Sequence, residues 1–218
     1  MIIAINKPIG LTSYDVVKKI KKITNQKKVG HGGTLDPFAD GVLIIGIGRE
    51  STKKLNTFLN SNKEYIATLL LGIETDTLDK DGKTIRTLDV PEYNKKDIKK
   101  IFLTFKGSIE QLTPLYSARK VSGMKLYEYA RNNIQVERPI NKINIYDLSL
   151  ISIKNKLLKF KVSCSKGTYI RQLGYDISKK LGSTGHLVEL TRTKVGNFSI
   201  ENCITFLELK EKWIPSTT

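Results

Sequence analysis

The sequence predicts an α+β fold with a mixed or antiparallel sheet. Three observations carry that expectation. Apolar runs of strand length recur along the chain. Three stretches place apolar residues at helical spacing. The two kinds of element interleave irregularly, without the regular alternation of a parallel βαβ fold.

Residues 2–5 predict a short buried strand. Ser13 is expected to cap a helix with Val16, Val17 and Ile20 on one face and lysines on the other. Residues 42–47 and 65–71 are apolar runs of strand length, the second closed by Gly72. Ile98, Ile101, Phe102 and Phe105 fall at i, i+3, i+4 and i+7, so a helix is expected over 97–105, closed by Gly107. Leu158, Phe160, Val162 and Cys164 alternate with Lys159, Lys161 and Ser163, the pattern of a half-buried strand. Ile170, Leu173, Ile177 and Leu181 share a helix face that Gly182 ends. Residues 113–140 are polar and aromatic with weak periodicity, which predicts a long excursion from the core.

The chain has 218 residues, enough for one large domain or two small ones around a buried core. Its 37 Lys and Arg against 21 Asp and Glu give a formal net charge of +16. That charge points first to nucleic acid and second to an anionic membrane surface. A solvated lysine-rich surface is the plainer alternative. Cys164 and Cys203 lie far apart without metal-ligand spacing, which argues against a disulfide framework or zinc and for a reducing, cytoplasmic compartment. The N-terminal apolar run is too short for a signal peptide, and no stretch reaches membrane-span length.

The densest local signal is residues 28–43, with four glycines in 28–41, one of two histidines, and Asp36 between Leu35 and Pro37. Proline pushes the preceding residue toward extended backbone, so a carboxylate is presented at a sharp turn. Familiar motifs fail. Gly30-His31-Gly32-Gly33 has Leu35 where a dinucleotide fingerprint needs its last glycine. Residues 46–53 lack the Gly-Lys-Ser/Thr ending of a phosphate loop. The segment around Asp79 and Asp81 has Thr77 and Leu88 at the outer ligand positions of a calcium loop. Asp36, Tyr65, Lys120, Tyr169 and Arg171 remain as polar residues in unusual local settings. Each also has a plain reading: a turn cap, an amphipathic strand end or a surface cation. Composition and spacing alone support a cytosolic RNA- or DNA-binding α+β protein.

At these residues the chain closely resembles the TruB family of tRNA pseudouridine synthases. Residues 30–43 fit that family's Gly-His-x-Gly-Thr-Leu-Asp-Pro-x-Ala-x-Gly-x-Leu signature. Four further segments agree in order: Lys7-Pro8 with Gly10, Thr12 and Ser13; Lys63-Glu64-Tyr65 with Gly72 and 75–82; 111–120 with Gly123, Leu126 and Tyr127; and 164–171. His186-Leu187, Leu190, Arg192-Thr193, Gly196 and Phe198 fit a final block. Thr113 stands where the family usually has proline, and Asn133 where it usually has glycine. Asparagine tolerates the left-handed conformation that such a turn needs.

The resemblance implies a pseudouridine synthase fold: a central mixed, mainly antiparallel sheet flanked by helices, with an RNA-binding loop insertion. It implies a catalytic domain over 1–210, including the excursion at about 113–140, and a tail over 211–218 in place of a further RNA-binding domain. The implied activity is isomerisation of uridine 55 in the tRNA T loop, by a monomer without guide RNA, membrane, cofactor or metal. A tRNA-binding chaperone that needs no chemistry is the alternative. Asp36 matches the catalytic aspartate, acting as a nucleophile or by promoting proton loss, and Arg171 matches its cationic partner. Tyr65 and Tyr169 match residues beside the target base, Tyr65 also as a proton acceptor. Leu190 matches an apolar wall of the uracil site, and Lys120 a residue in or near it. His31 matches the residue that fills the space left by the extruded base. Lysines of 18–28 and of the excursion are expected to contact phosphates.

Overall fold

The computed structural model describes residues 1–213, in two compact units: Met1–Tyr65 with the chain from Leu190 onward, and Ile66–Glu189. The last residues of the expected tail, 214–218, lie outside the described residues.

The first unit opens with β1 (Ile2–Lys7), α1 (Ser13–Thr24), β2 (Val29–His31), β3 (Asp40–Ile47), α2 (Arg49–Lys53) and α3 (Leu55–Asn60). β1 runs antiparallel to β3, from Ile2 opposite Gly46 to Lys7 opposite Gly41. β3 is buried on both faces. Leu43, Ile45 and Ile47 pack with Ile5, Val16, Val17 and Ile20. Val42 and Ile44 pack with Ala4, Leu55 and Val195. This is why its sequence reads as a continuous apolar run and not an alternation. Thr12, not Ser13, caps α1. The Thr12 hydroxyl accepts from the Asp15 amide at 3.0 Å, and the Asp15 carboxylate accepts from the Thr12 amide at 3.2 Å. Only Thr12 has an acidic residue three positions on, which completes the reciprocal pair.

β4 (Lys63–Leu71) starts in the first unit and continues into the second. There follow β5 (Ile73–Thr75), β6 (Thr84–Thr87), α4 (Lys95–Leu103), β7 (Gly107–Leu112), β8 (Lys120–Val121), β9 (Met124–Lys125), α5 (Leu126–Arg131), β10 (Ile140–Lys154), β11 (Leu157–Cys164), α6 (Ile170–Lys180) and β12 (Gly185–Val195). After β12 re-enters the first unit, β13 (Phe198–Ser199), a single 3-10 turn (Ile200–Asn202) and α7 (Phe206–Lys212) complete the described elements. The sheet order in the second unit is β12-β4-β11-β10-β7, and in the first β1-β3-β12-β4, with β2 on β3 and β13 on β12. β12 pairs with β3 in parallel, while β1–β3, β10–β11 and β10–β7 are antiparallel, so the sheet is mixed and mainly antiparallel.

The expected helix at 97–105 is α4, shifted toward the N-terminus. Asn94 caps it by accepting from the Lys96 and Asp97 amides at 2.8 and 3.2 Å, so Asp97 sits inside the first turn. Thr104 ends it, and Gly107, at φ +91°, begins β7 instead of closing the helix. The excursion at 113–140 carries the β8–β9 hairpin and α5. Asn133 takes φ +52°, the left-handed turn expected of it. Thr113 is fully buried, and its hydroxyl accepts a 2.8 Å bond from the Asn141 amide. Among the described residues, no helix is long and apolar enough to cross a membrane.

Candidate active site

In the first unit, residues 32–39 join β2 to β3 and carry Asp36 half-buried. Their main chain is held by side chains from three other elements. Lys7, fully buried at the end of β1, donates from Nζ to the carbonyls of Pro8 at 2.9 Å, Leu11 at 2.7 Å and Pro37 at 3.4 Å. The Gly10 amide also donates to the Pro37 carbonyl, at 2.8 Å. The Ser13 hydroxyl accepts from the Leu35 amide at 2.9 Å and donates to the Leu35 carbonyl at 3.1 Å. The residues on both sides of Asp36 are therefore fixed.

Arg192, on β12 and 1% exposed, anchors both limbs of the same loop. Its Nε donates to the Val42 carbonyl at 2.7 Å, and its terminal nitrogens to those of Thr34 and Gly33, each at 3.2 Å. The parallel register puts Arg192 opposite Gly41. Gly41 has φ +102°, and a Cβ there would lie 2.3 Å from the Arg192 carbonyl oxygen, so this close approach requires glycine.

Burial lowers the Lys7 pKa to about 8; the carboxylates of Asp40 and Asp36 oppose the shift, and the Arg192 charge adds to it. A lysine with a depressed folded pKa binds its proton more tightly in the unfolded chain. Stability should therefore rise with pH from about 8 toward the ordinary lysine value of 10.5. The gain is at most roughly 3 kcal/mol. Urea denaturation of wild type and Lys7→Met across that range is expected to show this rise only in wild type. Parallel curves would refute the assignment.

His31 ends β2. Burial first, and the Arg192 charge second, hold its imidazole below the ordinary histidine value, opposed by the Gly33 backbone. The ring is thus neutral at neutral pH. Its Nδ1 is buried without a hydrogen-bond partner among the described residues. Tyr65 on β4 and Leu190 on β12 are buried in this same unit, at 8% and 6% exposure.

In the second unit, Tyr169 and Arg171 flank the start of α6. Gln111, buried on β7, accepts from the Tyr169 amide at 2.8 Å and donates to its carbonyl at 3.1 Å. This reciprocal amide pair fixes the turn into the helix. The buried Arg171 guanidinium lies 3.5 Å from the Asp79 carboxylate and donates to the carbonyls of Thr77 and, at 2.9 Å, Tyr116. Asp79 in turn accepts from the Thr77 hydroxyl at 2.6 Å and the Asp81 amide at 3.1 Å. The turn that resembles a calcium loop in composition therefore presents a carboxylate to Arg171. Gly82 permits its tightness, since a Cβ there would meet the Thr77 hydroxyl at 2.3 Å. Lys120 is exposed on the β8–β9 hairpin, where its charge acts on Glu128.

The structure thus places His31 and Asp36 on one continuous segment, and Tyr169 with Arg171 at one helix start. Sequence reading assigned no role to Lys7, Gln111, Arg192 or Asp79, and read Ser13 as a helix cap where its hydroxyl instead holds Leu35. The available signal was a charged residue in an apolar strand, at Lys7 and Arg192, and a carboxylate in a tight turn, at Asp79.

Two family models match end to end. The TruB family pseudouridylate synthase N-terminal domain covers residues 21–170. The tRNA pseudouridylate synthase B C-terminal domain covers 171–217, reaching into the residues read as a tail. The tRNA pseudouridine synthase B of Clostridium tetani is 48% identical over 211 residues, 97% of this chain and 73% of that protein. That of Bacillus subtilis is 46% identical over 215 residues, 96% of this chain and 69% of that one. Among solved structures, a chain of a Cbf5-Nop10-Gar1 complex superposes with TM-score 0.75 at 31% identity, over 96% of this chain. This chain spans 53% of that longer one. The chain belongs to the TruB family of pseudouridylate synthases.

Proposed function

We propose that this protein is a tRNA pseudouridine synthase that isomerises uridine 55 of the T loop. The observation that carries the reading is Asp36 on a loop whose main chain is fixed on both sides by buried side chains. A binding surface has no need of a carboxylate held so firmly, whereas a reacting group does. The relatives named tRNA pseudouridine synthase B support the same substrate.

Asp36 is the reacting carboxylate in this reading, as nucleophile or by assisting proton loss. Tyr65 accepts a proton and, with Leu190, packs beside the extruded uracil; Tyr169 is likewise read from the family motif as a base-binding residue. Arg171 supplies a fixed cation that favours ionised carboxylates. His31, as a neutral ring, suits stacking inside the T loop, where the flipped base leaves a space. Lys120 and the exposed Lys18, Lys22, Lys27, Lys28, Arg119 and Arg131 contact phosphates, which gives salt-dependent affinity. The protein acts as a cytoplasmic monomer, away from membranes. Guide independence is supported by higher identity to the tRNA enzymes than to Cbf5. The catalytic domain is residues 1–210 with the excursion at 113–140 as an RNA contact.

The test is to incubate the protein with unmodified tRNA transcript and map pseudouridine. Product at position 55 is expected. No product there at low salt would overturn the proposal.

A further inference from the structure

We infer that Arg192 is a positioning residue for the reaction, setting the spacing of His31 and Asp36 without touching RNA. The inference rests on the proposed activity. Base extrusion and chemistry must be presented together by one short segment, with His31 in the RNA loop and Asp36 at the uridine. Gly33 and Thr34 lie between those two residues, and their carbonyls are the ones the Arg192 guanidinium holds. The third bond, to Val42, ties the returning limb of the loop to the same group. One planar fork thus bridges both ends of the segment that carries Asp36.

The arrangement is costly for stability alone. A buried guanidinium held by neutral carbonyls gives up strong hydration. An apolar side chain would fill the space at less cost but would leave three carbonyls unbound and the loop free to shift. Lysine keeps the charge but cannot span three carbonyls in one plane. Arg192 is itself fixed by its parallel pairing with Gly41, so the fork does not drift along the strand. Its charge also helps hold His31 neutral, which suits a ring that stacks.

The experiment compares wild type, Arg192→Lys and Arg192→Met as full chains. It reads the single-turnover rate at saturating tRNA, the tRNA Kd and thermal melting. Arg192→Lys is expected to lose about 100-fold in rate, the scale of a 1 Å misplacement. Its Kd should stay within about threefold and its melting cooperative. Arg192→Met should lose more. A lysine variant at the wild-type rate overturns the inference, as does a rate loss that saturating tRNA restores. If the lysine variant does not melt cooperatively, Arg192→Ala with millimolar ethylguanidinium decides. Recovery of rate supports the inference and its absence overturns it. A wild-type chain that makes no pseudouridine overturns the proposed function and this inference together. An active wild type with an equally active lysine variant overturns this inference alone.

Discussion

Replacing Asp36 by Asn is expected to slow single-turnover pseudouridine formation by about 10⁴-fold, the upper end of what one positioned acid or base contributes. The tRNA Kd should change little. Asparagine has the same shape, and the main-chain anchors on either side do not involve the Asp36 side chain: Ser13 holds Leu35, and Lys7 and Gly10 hold Pro37. The loop should therefore keep its course while losing its ionisable group. Rapid-quench kinetics with filter binding separates the two effects. A variant within tenfold of wild type would remove Asp36 from the chemistry.

The second large effect is expected at Arg171 and Asp79, the buried pair of the second unit. Removing one partner of a buried ion pair leaves the other charge buried without it, which costs about 3–5 kcal/mol. Asp79→Leu alone and Arg171→Met alone should therefore each lower Tm by roughly 10 °C for a chain of this size. Both should also lose turnover. The double variant Arg171→Met with Asp79→Leu is expected to regain part of the stability, because neither charge of the pair is then buried alone, although the Thr77 and Tyr116 carbonyls and the Asp81 amide lose their partners. Its turnover should stay lost, because the role proposed for Arg171 requires its charge and not merely a filled space. Recovery of activity together with Tm would assign the pair a purely structural task.

Elements that followed one periodicity were legible in the sequence. The helix face of Ile170, Leu173 and Ile177 and the alternation from Leu158 to Cys164 both stand as α6 and β11. β10 was not legible although it is fifteen residues long. Its pairing with β11 shifts register at Ile145/Asp147 and at Leu150/Ser152, and each irregularity breaks the alternation that identifies a strand. β12 was hidden differently, because it buries His186 and Arg192 where a core strand is expected to be apolar. The capping error at α1 has a similar cause. Two adjacent hydroxyls compete for one cap, and Ser13 is committed to Leu35, a residue twenty-two positions away.

Within the candidate site, the sequence singles out Asp36, His31 and Tyr65 because motif resemblance marks them. Lys7, Arg192 and Asp79 were not assigned, because their tasks exist only once distant segments meet. A lysine at the end of an apolar strand marks Lys7 as unusual, but which carbonyls it holds is set by residues 8–11 and 37 and cannot be read from the strand itself.

The anchors of the Asp36 loop grip peptide groups, not side chains: the carbonyls of Gly33, Thr34, Leu35, Pro37 and Val42 and the amide of Leu35. A peptide group is common to nearly every amino acid. The exposed side chain of Thr34 can therefore be exchanged without unfastening the loop. This exposed position two residues before the proposed reacting carboxylate is in this sense a replaceable face on a fixed mount. Substrate preference can drift there, or be redesigned, while the position of Asp36 is inherited unchanged.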